Sequence, residues 1–285
     1  MTVSASVVIP MHNGASYIEQ QLDGLLLSLR SSPNTEFIVV DNRSIDLGPA
    51  LVAEWARKNS APIRVIPGHE RAGEPYARNV GWQAARSEKI LFCDADDVVS
   101  PGWLGALSGA LDQYRYATGP LDTSRLNHQS IADLRGQALF RSLPTLPKGI
   151  PFAHGCNMGF RRRTLEDLAG FDETYLIACD VEIAVRAWQR DIDLGWAPGA
   201  LVHYRLRSTV PDVYQQARAY ARARRRIDRL VSNSPSTVDW RHQGRRAAWL
   251  VRHLPQTAAF AGRMKWAWVA GQVAGELGGR KSWKE

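Results

Sequence analysis

The chain has 285 residues, 45% of them hydrophobic, which is ample for a large buried core and fits one large domain or a domain with an extension. There is no apolar run long enough to span a bilayer and no basic segment leading into an apolar one at the N-terminus, so neither a membrane span nor a secretory signal is expected, and the expected compartment is the cytoplasm. The net charge of +8 is uneven: from Val213 onward there are 15 Lys+Arg against 4 Asp+Glu, a balance of +11, which leaves 21 and 24, or −3, for the rest.

The chain opens with Ser6-Val7-Val8-Ile9, a strand closed by Pro10 and the turn residues His12-Asn13-Gly14. A helix follows, because Ile18, Leu22, Leu25, Leu26 and Leu29 recur at helical spacing. Phe37-Ile38-Val39-Val40 reads as a second strand ending in the acidic turn Asp41-Asn42-Arg43-Ser44, and a helix with Leu51, Val52 and Trp55 on one face comes after it. Ile63-Arg64-Val65-Ile66 is a third strand, and Pro75 suits the first turn of the next helix. Lys89-Ile90-Leu91-Phe92 is a fourth strand running into Asp94-Ala95-Asp96-Asp97. Strands alternating with helices predict a doubly wound, mostly parallel α/β sheet with right-handed crossovers.

A helix is expected between Trp103 and Tyr114, and then periodicity fades; residues 115–155, rich in Pro, Gly, Ser and Thr, read as a long functional loop. Cys156-Asn157-Met158-Gly159-Phe160 is expected to be a strand, followed by a short helix opened by Arg161-Arg162-Arg163 and ending near Gly170. A helix from about Asp180 should bury Val181, Ala184, Val185 and Trp188, with Asp180 and Glu182 in its first turn, where the helix dipole favours negative charge. Short strands are expected at Asp193–Trp196 and Leu201–Tyr204. Beyond Val213 the pattern is helical, basic and interleaved with Trp240, Trp249, Trp266, Trp268 and Trp283, with Pro235 and Pro255 dividing the helices.

The domain organisation that follows is 1–212, in halves 1–100 and 101–212, and a helical extension 213–285. Cys93, Cys156 and Cys179 are odd in number and widely spaced with no CxxC pair, so they are expected as reduced, buried thiols rather than as a disulfide framework or a zinc site.

Three acidic residues in four at the end of a buried strand need a cation, hydrogen-bond donors or water. On an extended strand Asp94 and Asp96 would point the same way and could hold Mg²⁺ or Mn²⁺ together with substrate phosphates. The competing reading is an acidic turn that caps the next segment, with Ser100-Pro101 marking a helix start. Asp41 tilts the balance toward a site, because the C-terminal ends of parallel strands face the ligand crevice of such sheets.

Taken in order, Val8-Ile9-Pro10-Met11-His12-Asn13, Val39-Val40-Asp41-Asn42-Arg43-Ser44-Ile45-Asp46, Ala77-Arg78-Asn79-Val80-Gly81, Asp94-Ala95-Asp96-Asp97, and Gly170-Phe171-Asp172-Glu173 with Cys179-Asp180-Val181-Glu182 resemble family 2 glycosyltransferases of the GT-A fold, from about Ser6 to about Tyr204. The resemblance implies an inverting transfer of a sugar from a nucleotide-diphosphate donor to a hydroxyl of a glycan, lipid-linked or small-molecule acceptor. It implies that Asp41 hydrogen-bonds the base, typically uracil, in a pocket lined near Pro10 and His12, that Asp94 meets the ribose, and that Asp96 holds the Mn²⁺ or Mg²⁺ bridging the phosphates. Arg71 and Arg78 become candidates for the diphosphate charge, His203 a candidate to complete the metal shell, and Asp180 the general base, with Glu182 and Asp172 behind it; Asp97 supports, and His154 is a loop residue. Many relatives carry Asp-Asp-Gly-Ser where this chain has Asp41-Asn42-Arg43-Ser44, and Glu-Asp where it has Cys179-Asp180.

A nucleotidyltransferase on the same fold is the nearest alternative, and the segment around Asp180 argues against it. A non-catalytic scaffold is the alternative from another class, and the full set of acidic residues argues against that. For the basic tail, packing on the catalytic domain, peripheral attachment to an anionic membrane at its inner face, and nucleic-acid binding are the readings; the last is disfavoured because no recognised nucleic-acid module is present.

Overall fold

The structure, a computed structural model, describes residues 3–135, 142–232 and 239–278, so Pro235 and Trp283 lie outside the described residues. The chain forms two compact units, one of residues 1–126 and 138–205 and one of 127–137 and 206–285. The division therefore falls after Arg205 rather than after residue 212, and a piece of the expected acceptor half joins the second unit.

The first unit is built on a seven-stranded sheet. Strands β1 (Ala5–Met11), β2 (Thr35–Asp41), β3 (Ile63–Pro67) and β4 (Lys89–Phe92) are parallel and ordered β3-β2-β1-β4. Helices α1 (Ile18–Ser28), α2 (Gly48–Asn59) and α3 (Glu74–Ala84) connect them, as the hydrophobic periods predict. β1 and β2 are buried on both faces, which is why they read as unbroken apolar runs. Alternate residues serve opposite cores: Val7, Ile9, Phe37 and Val39 pack with Leu22, Leu25 and Trp55, while Val8, Ile38 and Val40 pack with Ala77 and Trp82. At Gly81 of α3 a Cβ would stand 2.2 Å from Val8 Cγ1, so only glycine lets that helix lie this close to the sheet.

Past β4 the parallel run ends. The strand β8 (Met158–Arg161) lies antiparallel to both β4 and β6 (Tyr116–Thr118), and β9 (Leu194–Trp196) is parallel to β6. A second sheet of three short strands joins β5 (Val98–Val99), β10 (Val202–His203) and β7 (Leu121–Asp122). The expected long loop over 115–155 is thus corrected: it holds β6, β7 and α5 (Gln129–Arg135), elements too short to show a period, whose partners lie far along the chain. The helices α4 (Trp103–Ala110), α6 (Arg162–Asp167) and α7 (Cys179–Trp188) are where the sequence places them. Trp188, expected inside, is 44% exposed; it ends α7, and Ile183 and Ala187 take the buried positions instead.

The second unit holds α5, α8 (Val210–Ser232), α9 (Trp240–Arg252), a 3₁₀ turn at Leu254–Ala258 that contains Pro255, and α10 (Phe260–Leu277). α8 and α10 pack along small residues: Cβ atoms at Gly271 and Gly275 would lie 2.4 Å from the carbonyls of Tyr214 and Arg218. No helix among the described residues is long and apolar enough to cross a membrane.

Candidate functional site

The acidic stretch is a turn between β4 and β5, not a continuation of β4. The extended geometry expected for Asp94 and Asp96 is therefore replaced by a compact one, in which Asp97 is the most deeply buried of the three carboxylates, at 1% exposure. Asp97 Oδ1 accepts the Arg205 N–H at 2.7 Å, while Arg205 Nε donates to the Asp96 carbonyl at 2.7 Å. The same guanidinium donates to Gln20 at 2.8 Å and stacks on the Tyr17 ring at 4.4 Å. From the other side, buried Gln21 donates to the Asp94 carbonyl at 2.9 Å and accepts the Val99 N–H at 3.0 Å. The turn is held through the Asp94 and Asp96 carbonyls and the Asp97 carboxylate.

Ligand atoms of Asp94, Asp97 and Cys156 lie within 4.8 Å of one another, and Asp97 Oδ2 is a buried oxygen that accepts no N–H or O–H. Burial, then Glu74, Asp96 and Asp180, push the Asp94 carboxyl up to about 8 against the opposing charge of Arg78. Asp97 is likewise pushed up, by burial, Asp96 and Asp94. Carboxyls that burial and mutual repulsion keep protonated would ionise beside a cation, and their oxygens fit a hard divalent one.

His203 approaches from the neighbouring strand, where it pairs opposite Val98 of β5. Its Nδ1 is 2.8 Å from Asp122 Oδ2. Burial raises the Asp122 carboxyl, but hydrogen bonds from Ser124 and His203 outweigh this and hold it at about 2. An imidazole oriented by a carboxylate at one nitrogen has the other free to ligate, the usual arrangement of a metal-binding histidine.

Arg78, expected as a candidate for the diphosphate charge, is enclosed. Its guanidinium is 1% exposed, ion-paired with Glu74 and with Asp94 at 3.1 Å, and donates to Cys179 Sγ at 3.1 Å. An enclosed cation with these partners fixes Asp94 and presents no open face to a phosphate. Gly155 lies against it, where a Cβ would sit 2.6 Å from Nη2, and the Gly155 N–H donates to Asp180 Oδ2 at 2.9 Å. Asp180 Oδ1 accepts the Val181 N–H at 2.9 Å, so the carboxylate is anchored in the first turn of α7. Through Gly155, which lies against Arg78, Asp180 is linked to the partner of Asp94. Glu182 is 3% exposed and bound to Arg186 at 2.6 and 2.7 Å, and Asp172 accepts from the Thr174 N–H and hydroxyl at 2.9 and 2.7 Å.

On the nucleotide side, Met11 pairs with Asp41 across the ends of β1 and β2, so Pro10, His12 and Asp41 cluster there. Asp41 accepts the Ser44 N–H at 3.0 Å and lies 2.8 Å from His69 Nε2; burial raises its carboxyl, and these two partners bring it below its usual range. His12 Nδ1 is 2.8 Å from the Asn42 carbonyl. Arg43, where many relatives have glycine, adopts the left-handed conformation at φ 64° that glycine accepts without strain. Its side chain offsets that cost by donating to the His69 and Glu70 carbonyls at 2.8 and 2.9 Å, which ties down the loop carrying Arg71. Arg71 itself is 71% exposed and pairs with Glu173 at 2.7 Å.

Arg205, Gln21, Asp122 and His154 were not legible as site residues. Arg205 follows His203 by two positions and contacts Asp97 across 108 residues; no local spacing announces such a contact. All three cysteines are buried and free, as expected, although Cys156 and Cys179 adjoin Asp97 and Arg78.

The model of the family described as Glycosyl transferase family 2 matches residues 6–169, and that of Glycosyl transferase family group 2 matches residues 89–271. The minor teichoic acid biosynthesis protein GgaB of Bacillus subtilis is 24% identical over 75% of this chain and 24% of its own length. The pre-mycofactocin glycosyltransferase of Mycobacterium tuberculosis is 28% identical over 73% of this chain and 44% of its own. The chain thus spans less than half the length of these curated relatives. Among solved structures, a mannosyltransferase from Pyrobaculum calidifontis in complex with GDP-Man and Mn²⁺ superposes with TM-score 0.64 at 18% identity, over 97% of this chain and 88% of its own. The S. aureus TarS fragment in complex with UDP-GlcNAc gives 0.57 at 17% identity, over 97% and 90%. These likenesses carry the GT-A fold, a mixed α/β sheet with a helical C-terminal part.

Proposed function

The chain belongs to glycosyl transferase family 2, and on that premise we propose that it is an inverting glycosyltransferase that moves a sugar from a nucleotide-diphosphate donor, of the UDP class, to a hydroxyl of a glycan, lipid-linked or small-molecule acceptor. The observation that carries the reading is the junction of Asp94 with Asp180 through Arg78 and Gly155, which sets a donor-side acidic turn beside an acceptor-side carboxylate.

In this reading Asp41 receives the base beside Pro10 and His12, and Asp94, steadied by Arg78, receives the ribose. Arg71, the exposed arginine of the two, meets the diphosphate by exchanging its pair with Glu173. Asp96 and His203 would hold Mn²⁺ or Mg²⁺, which as a Lewis acid would supply positive charge for the departing diphosphate. The acceptor oxygen forms the new bond to the anomeric carbon as the bond to the diphosphate breaks, and Asp180 takes the hydroxyl proton. The Gly155 and Val181 amides, which donate to its two oxygens, keep Asp180 aimed. Relatives and neighbours that carry UDP, UDP-GlcNAc or GDP-Man, and Mn²⁺ in some, support the donor and metal classes. A peripheral position at the cytoplasmic face of a membrane belongs to the same reading, supported by the +11 balance from Val213 onward.

The test is release of nucleoside diphosphate from a panel of UDP- and GDP-sugars with Mn²⁺, together with calorimetric binding of UDP. Release that needs the metal and is lost in Asp180→Asn, while UDP still binds, is expected. Absence of both binding and release with every nucleotide sugar overturns the reading.

A further inference from the structure

We propose that α9 is an interfacial helix that lies flat on an anionic lipid bilayer through its outward face. This rests on the peripheral-membrane reading above and names the surface that carries it.

The inward side of the helix mixes buried Gln243, which donates to Glu276, and Arg246, which pairs with Glu276 at 2.8 Å, with the partly buried Trp249 and Leu250. Its outward side is apolar. Trp240 is 70% exposed, Val251 76%, and Leu254, in the turn that follows, 56%. At 100° per residue Trp240, Gly244, Ala247 and Val251 form one stripe of α9, and every one of them is exposed, as is Leu254 in the 3₁₀ turn that follows. Arg241, Arg245 and Arg252, also exposed, form a second stripe along one edge of it.

The charge selects the occupant. An apolar partner surface alone would not call for three arginines lined up beside the stripe, whereas a bilayer takes both: the apolar stripe enters the boundary of the acyl chains, and the arginines, with apolar stems and charged ends, reach the anionic headgroups. The Asp239 carboxylate is engaged at the helix start, where it accepts the His242 N–H at 3.0 Å, and no acidic residue occurs between Trp240 and Leu254 to oppose the headgroups.

The experiment is co-sedimentation of the full chain with phosphatidylcholine vesicles, with and without phosphatidylglycerol. It compares the wild type with Arg241→Gln/Arg245→Gln/Arg252→Gln and with Trp240→Gln/Val251→Gln. All these side chains are exposed, so thermal melting should be unchanged and serves as the folding control. Binding that requires phosphatidylglycerol is expected, with a loss on the order of a hundredfold in the triple arginine variant and about tenfold or more in the Trp240/Val251 variant. Wild-type binding with both variants unaffected overturns the assignment to α9 while leaving membrane association standing. No wild-type binding to the anionic vesicles overturns both. Binding equal on neutral vesicles overturns the role of the arginines, and a concentration-dependent dimer abolished by Trp240→Gln/Val251→Gln assigns the face to a second copy of the chain instead.

Discussion

In the first unit Arg78 is enclosed, and its charge goes to Glu74 and Asp94, whereas in the second unit Arg241, Arg245 and Arg252 stand exposed beside an apolar stripe. Arg246 lies between these extremes, 17% exposed and paired with Glu276. A buried guanidinium is tolerable only where carboxylates meet it, so the position of Arg78 is dictated by the site it serves. An exposed one is free to answer to something outside the chain. The same residue type is thus an internal strut in one region and a contact surface in the other.

The contrast is broken most severely at Arg78. Arg78→Met leaves Asp94 and Glu74 without their cation, and a loss of about 3–5 kcal/mol is expected in denaturant unfolding; a cost near that of a surface change would mean the guanidinium is not the strut. Asp180→Asn keeps one oxygen to accept the Gly155 N–H but loses the bond from the Val181 N–H, so the unfolding free energy should fall by only about 1 kcal/mol, while turnover falls by about 10²–10⁴. Unaltered kcat in single-turnover assays would remove Asp180 as base.

A smaller effect is expected at the crossing of α8 and α10. Gly271→Ala brings a Cβ within 2.4 Å of the Tyr214 carbonyl, and overpacking of that kind costs about 1–3 kcal/mol, visible as a lower melting temperature. Glu173→Gln, which removes the partner of the 71% exposed Arg71, should cost at most about 1 kcal/mol of stability. Its useful readout is affinity: freeing Arg71 should tighten UDP binding by calorimetry, and weaker binding would show that Glu173 orients the arginine rather than competing for it.

Much of the first half was legible because its signals are local. Ile18, Leu22 and Leu25 repeat within one helix, and the run from Phe37 to Val40 is apolar because both of its faces are covered. The acidic residues announced themselves by their abrupt contrast with β4. Their geometry did not: whether Asp94-Ala95-Asp96-Asp97 continues the strand or turns depends on Arg205 and Gln21, which come from distant segments. The antiparallel placement of β8 and the elements hidden in 115–155 were out of reach for the same reason, since strands of two to four residues are defined by their partners.

By itself, then, the sequence determined the alternation of strands and helices up to Asp97, the identity of the carboxylates at the strand ends, the aspartate at the start of α7 and the basic, tryptophan-rich end of the chain. Tertiary structure alone decided that Arg78 is enclosed and paired with Asp94, that Arg43 holds a left-handed turn by bonding its side chain to a neighbouring loop, and that α9 turns Gln243 and Arg246 inward and Trp240 and Val251 out. The physical reason is common to all three. Periodicity shows that a side chain has a face, and only the partner across that face, here Asp94, the His69 carbonyl or Glu276, decides whether it is buried or exposed.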